Sequence, residues 1–153
     1  MRLPFIWKPG QKGGEPQVID EPVGHVDLAP TFCAIAGIEP EQMDGEVLPT
    51  SADEAIQQGR ETTTTEWASE HGSLNLSLES LFHKDGWLIT RYQPGSVYEG
   101  TEGELYQMRE DPLQMMNRWN DPAFASVKSD LLAELSQVHI PMREPKRPRL
   151  APV

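Results

Sequence analysis

One cysteine, Cys33, serves the whole 153-residue sequence, so no intramolecular disulfide can form and thiol usage reveals no redox compartment. Basic side chains are scarce as well. Thirteen Lys and Arg stand against 24 Asp and Glu, for a net charge of −11, which argues against nucleic acid because phosphate backbones need a basic surface. No apolar stretch approaches the roughly 20 residues that cross a bilayer. The run Leu3-Pro4-Phe5-Ile6-Trp7 near the first residue is too short for a signal peptide. The four histidines, His25, His71, His83 and His139, fit no metal spacing of the H-E-x-x-H kind, and the acidic residues at 39–54 and 99–111 lack the spacing of a calcium loop. They read as a solvated face.

What is present describes a globular chain of one domain. Hydrophobic residues are 37% and charged ones 24%, while 14 prolines and 12 glycines point to many turns. Charge is uneven: residues 139–153 hold Arg143, Lys146, Arg147 and Arg149 against Glu144, giving a basic Pro-rich tail expected to dock on the acidic body. Leu3–Trp7, closed by Pro9-Gly10, reads as a buried strand. Asp27 reads as an N-cap, with Pro30 in the first turn, a helix over 28–36 and Gly37 as its left-handed stop. Leu28, Phe32, Ile35 and Ala36 form its apolar stripe, which carries Cys33 as a buried structural thiol. A short helix is expected at 52–58. Strands follow at Thr62–Trp67, Ser80–Lys84, Trp87–Tyr92 and Glu104–Met108, with Asp85-Gly86 as a hairpin turn across which Trp87 can stack. The last helix, 122–137, has Pro122 at its start and Phe124, Val127, Leu131 and Leu135 on its core face.

Three stretches together resemble the sulfatase family of the alkaline phosphatase-like superfamily. Arg2-Leu3-Pro4-Phe5-Ile6 with Pro9-Gly10 resembles the R-x-P-x-I…PG strand. His25-Val26-Asp27-Leu28-Ala29-Pro30-Thr31, running to Ala36-Gly37-Ile38 and Asp44-Gly45, resembles the VDLxPT…AG…DG helix and loop. Gly103-Glu104-Leu105-Tyr106, then Glu110-Asp111-Pro112 and Asn117, resembles the GELYDLxxDPxExxNL segment, with Gln107 and Gln114 where the family usually has Asp and Glu. The closing Pro-Lys-Arg-Pro-Arg-Leu-Ala-Pro is similar to the tail of a bacterial arylsulfatase subgroup.

The resemblance implies a C-terminal sulfatase portion of α/β class, α+β when taken as an isolated fragment. Residues 1–60 are expected to be the last part of the central α/β domain. Residues 61–138 are expected to form a small antiparallel sheet covered by a helix, and 139–153 the tail. In the family the catalytic parts precede this region: a formylglycine made from the Cys of C-x-P-S-R, Asp and Asn ligands for calcium, and Lys and His on the sulfate. Cys33 is followed by Ala34-Ile35-Ala36, so it does not match that nucleophile, and no Asp-Asp pair or Asp-His-Gly motif occurs. The expectation is therefore no catalytic residue, no metal ligand and no cofactor in this chain. Cleft-shaping loops of the C-terminal subdomain make His71 and His83 the candidates to face substrate. The expected partner is either the preceding sulfatase region or a second copy pairing through the strand at 3–7. The alternative reading is a stand-alone noncatalytic module, and a third is a carbohydrate-binding face built from Trp67, Trp87, Tyr92 or Trp119.

Overall fold

The computed structural model describes residues 5–8, 15–40, 43–71 and 74–138. A short 3-10 turn at His25–Asp27 leads into α1 (Leu28–Ala36), and α2 (Ala52–Gln58) follows after a loop. The chain then forms an antiparallel meander of β1 (Thr62–His71), β2 (Leu74–His83), β3 (Trp87–Tyr92) and β4 (Gly103–Gln107). A 3-10 turn at Pro122–Phe124 opens α3 (Ala125–Val138), so the expected last helix starts as a tighter turn. Asp121 caps it by accepting from the Ala123 N–H at 3.0 Å, as a residue before Pro122 should.

Register decides which side chains become core. Leu81, Ile89 and Leu105 stand directly opposite one another across β2, β3 and β4 and are fully buried on the same face. Leu131 and Leu135 of α3 close over them, joined by Trp119 and by the half-buried Phe124, Val127 and Trp87. Trp87 therefore meets the helix side, edge to face with Phe124 at 5.7 Å, instead of stacking across the hairpin. The hairpin turn itself forms as expected: Gly86 has φ +93°, and a Cβ there would collide with the Gln107 and Arg109 side chains.

The segment after β4 works as a clasp. The Asp111 carboxylate accepts from the N–H groups of Met115 and Met116 at 2.9 and 2.8 Å. Those donors, Met115 first, hold its pKa below the usual carboxylate range. Gln114, where the family pattern usually has Glu, sits in a left-handed conformation at φ 56°. Asn117 then accepts from the Leu105 N–H and donates to the Gly103 carbonyl, and the Arg118 N–H donates to the Leu105 carbonyl. This margin of the sheet is thereby closed by the chain itself.

Three expectations are corrected. Phe5, Ile6 and Trp7 belong to no strand, and Phe5 and Ile6 are exposed. Among the described residues no neighbouring strand is available to pair with them, and Leu3 lies outside the described residues. The stripe on α1 is not core, because Phe32 is 58% and Ile35 64% exposed, and the buried residues of that helix are Pro30 and Thr31. Cys33 is accordingly half-buried. Finally, β1 and β2 run to His71 and Leu74, well past the expected Trp67 and Ser80 limits. The basic tail at 139–153 lies outside the described residues.

Candidate functional site

Asp27 does not cap α1 with its side chain. Its buried carboxylate accepts from the Gly24 N–H at 2.7 Å, the Glu46 N–H at 3.0 Å and Arg60 Nη2 at 2.5 Å. The Asp27 carbonyl accepts from the Thr31 hydroxyl at 2.5 Å, and the Leu48 N–H donates to that same hydroxyl oxygen at 2.8 Å. Gly45 presses against the Val26 carbonyl so closely that a Cβ would lie 2.1 Å from its oxygen. The two halves of the second motif, His25–Thr31 and Asp44-Gly45, are therefore one physical unit: the helix start holds the loop through Asp27 and Thr31.

Beside this unit lies a cavity of about 290 Å³, walled by Val23, Asp27, Glu46, Leu48, Glu54 and Arg60 among others. Arg60 is committed to carboxylates, touching Asp27 and lying 3.7 Å from Glu46. A buried pair of this kind fixes a loop and a strand entrance in place, and supplies no nucleophile and no free cation. Sequence reading missed Arg60 and Glu46, because nothing in local spacing links positions 33 and 19 residues from Asp27.

The two candidate histidines are kept apart. His71 pairs with Leu74 at the tip of the β1–β2 hairpin, and His83 pairs with Thr62 at its opposite end. Nine residue steps along a strand put them about 30 Å apart. The His83 Nδ1 accepts from the Asp85 N–H at 3.1 Å, within the turn to β3. His25 opens the 3-10 turn and is exposed, and His139 lies outside the described residues. The aromatic residues weighed as a sugar platform do not assemble. Trp87 and Trp119 are taken into the core, Tyr92 is stacked on Tyr98 at 4.2 Å, and Trp67 alone of the four is exposed.

The family's catalytic group does not fit here. Cys33 sits within α1 and is followed by Ala34-Ile35-Ala36, and among the described residues no three His, Cys, Asp or Glu side chains converge as a metal site would need.

Comparison with known proteins follows the same line. A family model described as N-sulphoglucosamine sulphohydrolase, C-terminal, matches residues 1–140. An uncharacterised sulfatase of Escherichia coli K12, YidJ, is 31% identical over 150 residues, which is 95% of this chain and 28% of that protein. The Delta 4,5-hexuronate-2-O-sulfatase of Bacteroides thetaiotaomicron is 29% identical over 136 residues, 84% of this chain and 26% of that protein. A sulfatase crystal structure from Bacteroides thetaiotaomicron superposes with a TM-score of 0.62 at 29% identity, over 72% of this chain and 23% of that one. The chain thus spans about a quarter of the length of the relatives it matches. It belongs to the sulfatases, as a member of the N-sulphoglucosamine sulphohydrolase C-terminal family.

Proposed function

We propose that this chain acts as the C-terminal segment of a sulfatase, completing and shaping the substrate cleft while the preceding region of such an enzyme supplies the formylglycine and calcium. The observation that carries this reading is the open face of α1. Phe32 and Ile35 of α1, and Ile38 just past its Gly37 stop, are each more than half exposed, although the two on the helix repeat at its period. Val26, in the 3-10 turn before α1, is 54% exposed. Large apolar side chains left exposed in one short segment favour a docking surface, here for the body that precedes this segment in its relatives. The Asp27–Arg60 pair then locks that face to the entrance of β1, so the small sheet and its loops are held in a fixed position against the body.

The isolated chain is expected to hydrolyse no aryl sulfate. The check is release of 4-nitrophenol from its sulfate ester, with and without added calcium. Calcium-dependent turnover by a clean preparation, lost in Cys33→Ala, would overturn the assignment and make Cys33 the nucleophile.

A noncatalytic module that works as an oligomer is the second reading. β1, which among the described strands pairs with β2 alone, favours it.

A further inference from the structure

The cavity beside Asp27 carries an excess of negative charge. Glu21, Asp27, Glu46 and Glu54 line it with a single cation, Arg60. Arg60 is committed to Asp27, and it lies 3.7 Å from Glu46, whose side chain is 66% exposed. The same wall has an apolar part, where Val23 and Val47 are 40% and 49% exposed. The sequence around the cavity has the same bias: residues 15–60 hold ten Asp and Glu, with Arg60 as their one Lys or Arg. Residues 61–138 hold thirteen against five, and three of those cations, Lys84, Arg91 and Arg118, pair within that part.

One segment of the sequence has the opposite sign. Residues 139–153 carry Arg143, Lys146, Arg147 and Arg149 against Glu144. They follow directly on α3, and the cavity is within their reach. Ser136, near the end of α3, accepts from Arg91 Nη1, Arg91 stands opposite Glu79, and Glu79 stands opposite Glu66. The helix-to-sheet step, two strand spacings and the six residues from Glu66 back to Arg60 make about 25 Å in all. Lys146 is eight residues beyond Val138, which an extended chain spans in about 26 Å, and Arg149 is three further on.

We infer that the basic tail, residues 139–153, docks along this cavity of its own chain, with Lys146, Arg147 and Arg149 set among Glu21, Glu46 and Glu54. The match is one of opposite charge over a partly apolar wall. Methylene stems of Lys and Arg cover Val23 and Val47 there, while their charged ends stay at the carboxylates. Pro145, Pro148 and Pro152 restrict the free segment, so docking removes less freedom than it would from a chain without them. A segment of the same chain fits better than a separate basic protein, because its tether keeps it at a high effective concentration. The inference does not rest on the sulfatase-segment reading: an undocked tail leaves the expected turnover result untouched, and the reverse holds as well.

Coupling of the full 153-residue chain with a water-soluble carbodiimide tests it. The reagent joins a lysine Nζ to a carboxylate in contact with it as an amide, and takes up the water released to become its urea. Lys146 is the one lysine of the tail. The Lys84–Glu61 pair, already in contact, is the internal control. Peptide mass spectrometry of the monomer is expected to find Lys146 joined to Glu21, Glu46 or Glu54. Arg147→Gln with Arg149→Gln should slow that coupling about fivefold, the scale of two solvent-exposed ion pairs, and leave the control unchanged. Sodium chloride at about 1 M should slow it as well, because it screens charges beyond about 3 Å. A Lys84–Glu61 amide formed without any from Lys146 to those three glutamates would overturn the inference. So would coupling of Lys146 to a second copy in place of its own chain, or coupling indifferent to the double change.

Discussion

Leu131→Ala is expected to lower the unfolding free energy by about 2–5 kcal/mol. Leu131 is 6% exposed and packs on the row formed by Leu81, Ile89 and Leu105, each fully buried. Truncation removes the apolar surface that it withdraws from water and leaves a void, because strand positions on one side and the α3 backbone on the other cannot both close in. The effect is large for a chain of this size, since a small domain is stable by only about 5–15 kcal/mol. Urea unfolding followed by far-ultraviolet circular dichroism measures it. A loss under about 0.5 kcal/mol, the scale of a surface change, would mean that α3 does not cover the sheet.

Asp27→Ala is expected to cost about 3 kcal/mol or more, through a different mechanism. Its carboxylate is 2% exposed and satisfies two backbone N–H groups as well as Arg60, whose side chain is 20% exposed. Removing it leaves three donors without their acceptor, and a partly buried cation without its counter-charge. Arg60→Ala should cost less, about 1–2 kcal/mol, because Asp27 keeps the Gly24 and Glu46 donors. The double variant should then lose less than the sum of the two, with a coupling of about 0.5–3 kcal/mol. Additive losses in the cycle would mean that the pair does not hold the loop.

These two sites were unequally visible in the sequence. The α3 stripe, Phe124, Val127, Leu131 and Leu135, is a local pattern of helical period, and the structure uses all four. Asp27 looked like a cap because it precedes an apolar run. Its real partners, Glu46 and Arg60, are brought to it by the fold of a loop, which local spacing does not encode. Phe32 and Ile35 show the converse. Their period marks an apolar face, but the structure leaves it exposed, because a period carries no information about what packs against it. The far half of the β1–β2 hairpin was hidden by its polar residues, Ser69, Asn75 and Ser77, although Leu74, Leu76 and Leu78 alternate as a strand should. Leu3–Trp7 read as a strand on composition alone, and a strand also needs a neighbour.

Docking of α1 onto a sulfatase body is tested most directly by a graft. Residues 1–153 replace the matching C-terminal quarter of the Bacteroides Delta 4,5-hexuronate-2-O-sulfatase, and desulfation of that enzyme's own substrate is followed. The graft is expected to turn over, with KM displaced more than kcat, and to lose turnover when Phe32→Asp and Ile35→Asp are introduced together. A graft that melts in one cooperative transition yet turns over nothing, or one whose activity survives both aspartates, would contradict the assignment.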